Sequence, residues 1–450
     1  MNTLVASAPA RGPQQTALWA GTAAFTVSFA VWTIFSIIGV QIKQELGLSD
    51  TAFGLLVATP ILTGSLSRIF LGVWTEQFGG RRIFAAVMLA GAVATWLLTY
   101  AHSYPTYLLA ALGIGIAGGS FTVVITYVSK WFPKARQGTA LGIVGAGNIG
   151  SAVTKLLAPL VLVALGWHGV ARIWAVALAL VAVAFYVLTR DEPDLVERRA
   201  RGVQAVPFLV QLRPLKNLQV WRFSLYYFFV FGAFVALALW LPRYLVGAYG
   251  LDLRSAGLIA AAYSIPASLF RIVGGWASDR YGARKVMYWT FIGSVICTFL
   301  LSYPSTSYVV QGIEGPIAFT LAVGVLPFTV LVFVLGFFMS LGKAAVYKHI
   351  PVYYPDNVGS VAGVVGMIGG LGGFILPIVF GLLNDLIGVW TSCFMLLFVL
   401  VATALAWMHF AIRRLELARH PQVARDTDLP EIMPAAGAAR GTDQPISGRL

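Results

Sequence analysis

Residues 67–82 read SRIFLGVWTEQFGGRR, and residues 270–285 read FRIVGGWASDRYGARK. Laid over each other, Arg68 falls on Arg271, Gly72 on Gly275, Glu76 on Asp279, Gly79 on Gly282, and Arg81-Arg82 on Arg284-Lys285. Each copy closes a long apolar segment, so each arginine sits about ten residues, or roughly 15 Å, inside the end of a helix. That is about half the hydrocarbon thickness of a bilayer. An arginine at such a depth costs from ~3 to more than 10 kcal/mol, depending on the reference state. Two of them, related by an internal repeat, call for a function that needs two guanidiniums facing each other at mid-membrane.

Working outward, composition fixes the class. The 450 residues are 58% hydrophobic and 11% charged, whereas a soluble domain carries about a quarter charged residues. This is the composition of a polytopic membrane protein. The net charge of +14 is spread over short loops between apolar runs, which speaks for topology and against nucleic acid. The two cysteines, Cys297 and Cys393, lie in apolar runs and imply neither a disulfide framework nor a metal site. No cofactor is expected. The N-terminus lacks a cleavable signal pattern, and the first apolar run is long enough to remain a span.

The spacing predicts about twelve spans, near 17–41, 51–78, 82–102, 105–131, 137–165, 168–189, 220–248, 254–280, 286–304, 319–349, 358–386 and 389–412. The expected fold is all-α, with two pseudo-symmetric six-helix bundles over 17–189 and 220–412, joined by a polar loop at 190–219. Residues 1–16 and 413–450 are expected to be polar, disordered tails. Basic residues crowd Arg81-Arg82, Lys130 to Arg136, Arg190 to Lys216, Arg280 to Lys285 and Arg413-Arg414, while the alternate loops hold Lys43, Arg243 and Arg254. By the positive-inside rule both termini and the central loop are cytoplasmic.

A second repeat supports the halves. KWFPKARQGTALGIVGAGNIG (130–150) parallels VYYPDNVGSVAGVVGMIGGLGG (352–373), with Pro133 on Pro355, Gly147 on Gly369 and Gly150 on Gly372. Small residues let membrane helices approach closely, and bare backbone at Gly147, Gly369 and Gly370 also lets a small ligand pass.

With both repeats in hand, the chain resembles the major facilitator superfamily, and within it the nitrate/nitrite porter family. The resemblance rests on the G-x3-[DE]-[RQ]-[FY]-G-x-[RK]-[RK] loops after spans 2 and 8, the arginine pair, and the motifs GTALGIVGAGNIG and GSVAGVVGMIGGLGG. It covers about residues 17–412. It implies an inner-membrane transporter working as a monomer in lipid, with nitrate, nitrite and protons as partners. AVTK at 152–155 and GKAAVYKHIP at 342–351 are similar to the branch described as nitrate/proton symporters. By the same resemblance Tyr227 and Phe231 of YFFVFGAF, and Phe121 of GGSF, flank the anion.

The residues agree independently. The deeply placed ionisable groups are Arg68, Arg271, Lys155 and Lys343, all basic, while Glu76, Asp279 and Asp385 lie toward helix ends. A cationic cavity without a carboxylate needs an anion to complete it. The guanidinium fork offers parallel donors to a planar oxyanion. Asn148, in GAGNIG, falls level with the arginines, where its amide can donate to the anion or to a neighbouring helix. An ammonium desolvated beside other cations sheds its proton more readily, so Lys155 and Lys343 are candidate proton carriers, with snorkelling or carbonyl pairing as the alternative. His349 is expected at the cytoplasmic mouth. The duplicated loops (Gly72, Glu76, Gly79, Arg81; Gly275, Asp279, Gly282, Arg284) are expected to gate the two halves, with Glu76 and Asp279 bonding their own loop or capping a neighbouring helix. The rival readings are nitrate/nitrite exchange, a porter for formate or oxalate, and a transporter-like sensor. No nucleophile–base pair, metal spacing or phosphate loop points to an enzyme.

Overall fold

Within a bilayer only a helix satisfies the backbone of an isolated apolar run, and helices build nearly all of the described residues. The computed structural model describes residues 11–132, 134–193, 217–353 and 358–412. Among them, ten helical stretches are long and apolar enough to cross a membrane. One of these, Ala140–Leu188, turns at Gly166, whose φ of 67° and ψ of 177° are non-helical. It therefore crosses twice, and the helix Asp50–Phe78 brings the described spans to twelve.

We number them α1 (Gly12–Leu46), α2 (Asp50–Phe78), α3 (Gly80–Tyr100), α4 (Tyr104–Ser129), α5 (134–165), α6 (167–188), α7 (Leu218–Tyr249), α8 (Leu253–Tyr281), α9 (Ala283–Ser302), α10 (Val325–Tyr353), α11 (Val358–Ile387) and α12 (Ser392–Ala411). Between α9 and α10 an antiparallel hairpin pairs β1 (Thr306–Gly312) with β2 (Gly315–Leu321).

Packing sorts the helices by depth. In α7 89% of the most apolar window is buried, against 33% in α12, so α7 is central and α12 peripheral. The outer helices turn large apolar side chains outward: Val163, Leu180, Leu386 and Phe410 are all well exposed. A water-soluble protein does not expose that much continuous apolar surface; lipid is the solvent that suits it.

The internal repeat survives as geometry. Gly79 has φ 93° and ψ 140°, and its counterpart Gly282 has φ 92° and ψ 133°. Both end one helix and start the next through a conformation that a Cβ disfavours. Around the first, the buried Glu192 carboxylate accepts from the Gly80 amide (2.8 Å) and faces Lys130 at 3.9 Å. Burial raises the Glu192 pKa, opposed by the hydrogen bonds from the backbone and by Lys130.

Two expected boundaries move. The first helix starts at Arg11 rather than after residue 16, because Gln14 donates to Trp131 O (2.7 Å) and Trp19 donates to Gln15 (3.1 Å). These bonds give polar residues partners that apolarity cannot reveal. The tenth span was expected from 319, but residues 315–321 form β2 and the helix begins at Val325. The run IAFTLAV is apolar enough for either state, and its β-branched and aromatic content suits the strand. The expected tail 413–450 and most of the 190–219 loop lie outside the described residues.

The matched glycine geometry yields a first test. Gly79→Ala and Gly282→Ala should each cost about 1–3 kcal/mol of backbone strain, read as a lower Tm of the purified protein. An unchanged Tm in both variants would contradict the requirement for glycine.

Candidate functional site

The two repeated arginines meet in the interior. Arg68 is 4% exposed and Arg271 6%. Arg68 Nη1 donates to Gly366 O in α11 (3.1 Å), and its Nε and Nη2 have no partner among the described residues. Nη1 of Arg271 is likewise unpartnered. The Arg68 guanidinium carbon lies 5.3 Å from the Phe231 ring centre and 5.7 Å from those of Trp32 and Phe121. The Arg271 guanidinium lies 5.4 Å from Phe121 and 5.8 Å from Tyr347, so one phenyl ring serves both cations. Tyr227 stacks on Phe231 (5.1 Å, 8°) and meets Tyr347 edge-on at 5.0 Å. These contacts contribute cation–π attraction of about 0.5–2 kcal/mol each, well short of compensating two buried charges.

Each arginine is seated by the glycine helix of the other half. A Cβ at Gly370 in α11 would lie 2.4 Å from Ser65 Oγ and 3.3 Å from Arg68 Nη1, and one at Gly145 in α5 would lie 3.0 Å from Arg271 Nε. A Cβ at Gly369 would fall 2.3 Å from the Tyr227 ring, and one at Gly147 would fall 2.5 Å from Phe25. The glycines therefore let the halves close around the guanidiniums, and Gly147 itself packs α5 on α1.

Helix irregularities gather around these residues. A 3-10 turn at Ile116–Gly119 precedes Phe121, another at Gly147–Ile149 holds Asn148, and a π-helical stretch, Phe228–Ala233, holds Phe231. The α8 helix breaks at Phe270 (ψ 1°), immediately before Arg271. Such breaks expose backbone and re-aim side chains, and they recur at functional sites. Asn148 is fully buried, and neither of its amide atoms has a partner. It lies three residues beyond Gly145, on the same face of the tightened turn, and so on the Arg271 side of α5.

The two lysines differ. Lys155 Nζ donates to Ser151 O one turn back (3.0 Å), the carbonyl pairing that was the alternative to proton carriage. Lys343 Nζ has no partner and sits 3.5 Å from the centre of the Phe234 ring, one turn from Tyr347. His349 is buried, bonded through Nδ1 to Ala345 O (2.9 Å), beside Arg222 and Arg284. Among the described residues every carboxylate belongs to a residue in a connection or within one turn of a helix end.

The duplicated loops are less alike in side chains than in backbone. Arg81 donates to Tyr186 O through Nε (2.9 Å) and Nη2 (2.7 Å) and lies 4.0 Å from Asp191, all within the first half. Asp279 pairs with Lys348 of α10 (2.7 Å), and both groups are well exposed. Gly72 packs toward Thr122, whereas Gly275 faces open space. The side chain of Glu76 lies outside the described residues.

At the opposite end of the bundle the halves are bound directly. Asp385 of α11 accepts from the Asp50 and Thr51 amides (3.0 and 2.8 Å) and from Thr51 Oγ1 (2.5 Å), capping the N-terminus of α2. Asp50 in turn receives Arg243 of α7 (3.1 Å) and Lys43 (3.2 Å), and the Asn384 amide donates to it (3.3 Å). These bonds tie α2 of the first half to α7 and α11 of the second.

Sequence reasoning missed Trp32, Ser65, Gly145, Gly366 and Tyr347. Gly145, Gly366 and Tyr347 fall inside motifs already singled out, so the signal was present but not resolved to residues. Trp32 and Ser65 carry none. Together the elements define a helical bundle of two repeats that holds, in its interior, buried cationic donors without partners among the described residues.

A family model described as "Major Facilitator Superfamily" matches residues 20–324 and 245–441. A "Probable nitrate/nitrite antiporter NarK1" of Thermus thermophilus is 42% identical over 427 residues, 92% of this chain and 95% of that protein. A "Nitrite extrusion protein" of Bacillus subtilis is 30% identical, over 86% and 92%. A "Probable nitrate/nitrite transporter NarK2" of Mycobacterium tuberculosis is 33% identical, over 80% and 86%. In structure, a bacterial homolog of the human lysosomal transporter Spinster, crystallised inward-facing and occupied, superposes with a TM-score of 0.66 at 15% identity, covering 90% of this chain and 98% of its own. The fold is that of a secondary transporter, not an enzyme. The chain belongs to the major facilitator superfamily and, within it, to the nitrate/nitrite porter family.

Two tests follow from the geometry. Arg68→Lys and Arg271→Lys should each abolish high-affinity transport although charge is kept, because a point ammonium cannot reproduce the fork; near-normal uptake in either would remove the clamp. Asn148→Ala should weaken anion binding by ~1–3 kcal/mol, the range for a hydrogen bond to a charged group, and parental binding would assign Asn148 to helix packing.

Proposed function

We propose that this protein imports nitrate together with protons across the inner membrane, by alternating access around Arg68 and Arg271, with both termini cytoplasmic. The observation that carries the reading is the set of unpartnered guanidinium donors, Nε and Nη2 of Arg68 and Nη1 of Arg271, gathered on one phenyl ring with no described carboxylate among them. A planar, weakly hydrated monoanion answers such a site. The relatives named for nitrate or nitrite support the substrate class. The Asp385–Thr51 and Arg243–Asp50 bonds support a state closed toward the periplasm, from which the bound anion leaves to the cytoplasm when the halves rock.

Exchange of nitrate for nitrite is the second reading, favoured by the name of the Thermus relative. It needs no proton carrier. Lys343 is the better candidate for one, because its ammonium has no hydrogen-bond partner while Lys155 has Ser151 O. Nitrate beside Arg271 offsets repulsion on Lys343 and favours its protonated form, so proton and anion promote each other's binding by linkage.

Uptake into proteoliposomes with and without an imposed inward proton gradient tests the reading. Gradient-driven nitrate accumulation is expected, and accumulation that instead requires internal nitrite and ignores a protonophore would establish exchange. Lys343→Gln should leave nitrate counterflow intact and abolish gradient-driven uptake, with a smaller effect for Lys155→Gln. Gradient-driven accumulation surviving in both single variants and in the double variant would route the proton elsewhere.

A further inference from the structure

The hairpin between α9 and α10 lies outside the arginine site, and most of its large exposed apolar side chains gather on one face, with Val309 (64% exposed) on the other. Cross-strand partners share a face, and the register pairs Tyr308 with Phe319, Val310 with Ile317, and Thr306 with Leu321. The other face carries Ser307 opposite Thr320, Val309 opposite Ala318, and Gln311 opposite Pro316. Ser307 and Thr320 hydroxyls bond at 3.1 Å on that polar side. On the first face Tyr308 and Phe319 stack (5.5 Å, 26°). There Ile317 is 59% exposed, Leu321 51% and Val310 49%, and Ile313 in the turn is fully exposed.

A two-stranded hairpin is marginal in water by itself, and one with a bare apolar face is more so. We propose that this face lies in the headgroup–acyl boundary of the leaflet opposite the duplicated loops, anchoring the α9–α10 connection to lipid. Three observations select lipid over a protein partner. The hairpin joins two helix ends whose outward side chains, Phe299 and Leu300 in α9 and Leu326 and Val330 in α10, are exposed and apolar; its face continues a surface that lipid already covers. Residues 303–324 contain no lysine or arginine, and their one carboxylate, Glu314, sits at the turn, while Tyr303, Tyr308 and Phe319 supply the aromatic content typical of the interface. Finally, two seven-residue strands present a face of roughly 23 by 10 Å, far below the ~800 Å² per partner of a stable protein interface. Lipid contact has no such minimum. The hydroxyl contact between Tyr303 and Tyr308 ties the first strand to the end of α9, so the hairpin is held at its base as well as by its face.

The consequence is mechanical. α10 carries Lys343 and Tyr347, and a lipid anchor at its end fixes the depth at which α10 pivots when the halves rock.

The experiment uses single cysteines at Val310→Cys and Phe319→Cys on the apolar face, and at Ser307→Cys and Gln311→Cys on the other. Native Cys297 and Cys393 are buried, which leaves the introduced thiols as the sites of an environment-sensitive fluorophore. The full chain is reconstituted in phosphatidylcholine–phosphatidylglycerol vesicles, and quenching by doxyl-labelled lipid is compared with quenching by aqueous iodide. Labels at 310 and 319 should emit at shorter wavelength, be quenched by the doxyl lipid and escape iodide, while those at 307 and 311 show the reverse. Iodide quenching at 310 and 319 would place the face in water, and protection from both quenchers would mean that protein, such as a second copy, covers it; either result overturns the proposal, as does doxyl quenching that fails to distinguish the two faces.

Discussion

Two guanidiniums held near the middle of a membrane, with donors that no protein group satisfies, are the constraint on which the other features depend. Leaving a buried charge without its partner costs about 3–5 kcal/mol, so three N–H positions of Arg68 and Arg271 without a partner among the described residues need compensation, which rings and backbone supply in part and which the anion completes in the proposed function. The surrounding pieces then have physical reasons. Phe121, Phe231, Trp32 and Tyr347 offer π-faces to the cations; they supply attraction without a competing negative charge. A carboxylate in their place would satisfy the arginines permanently and leave nothing for a substrate to do.

The same constraint explains why the halves grip each other's arginines. Arg68 of α2 bonds Gly366 of α11, and Arg271 of α8 packs on Gly145 of α5. Moving one half against the other would change what each guanidinium touches, and in the proposed function this couples occupancy of the site to the relative position of the bundles. Glycines set tightly against backbone of the other half, Gly54 on Pro377 O, Gly257 on Lys155 O and Gly381 on Asp50 O, lie toward the Asp385 end. At the end that carries the duplicated loops, the bonds named above stay within one half: Arg81 to Tyr186, Glu192 to Gly80, Asp279 to Lys348. In the reading proposed here, release of the periplasmic bonds is what an outward opening has to overcome.

Much of this was legible in the sequence because bilayer physics makes charge conspicuous. Arg68, Arg271 and Lys343 stand out in apolar runs, and duplication of the loops identified two halves before any coordinate. Gly79 and Gly282 then prove to share a backbone conformation to within a few degrees in φ. What was not legible depends on long-range partners. Nothing local says that the Lys343 ammonium meets the Phe234 ring of α7, or that Trp32 of α1 approaches Arg68. Nor could apolarity alone separate the β2 strand from the start of α10, since both are equally hydrophobic and only the pairing with β1 decides.

The most direct test of the arginine pair as the anion site is an experimental structure of the protein in nitrate, compared with one in a non-transported anion. The account expects planar density within hydrogen-bonding distance of both Arg68 and Arg271, beside Phe121 and Phe231, in the nitrate structure only. Nitrate density elsewhere along the path, or both guanidiniums fully paired with protein groups in the nitrate-bound state, would contradict it.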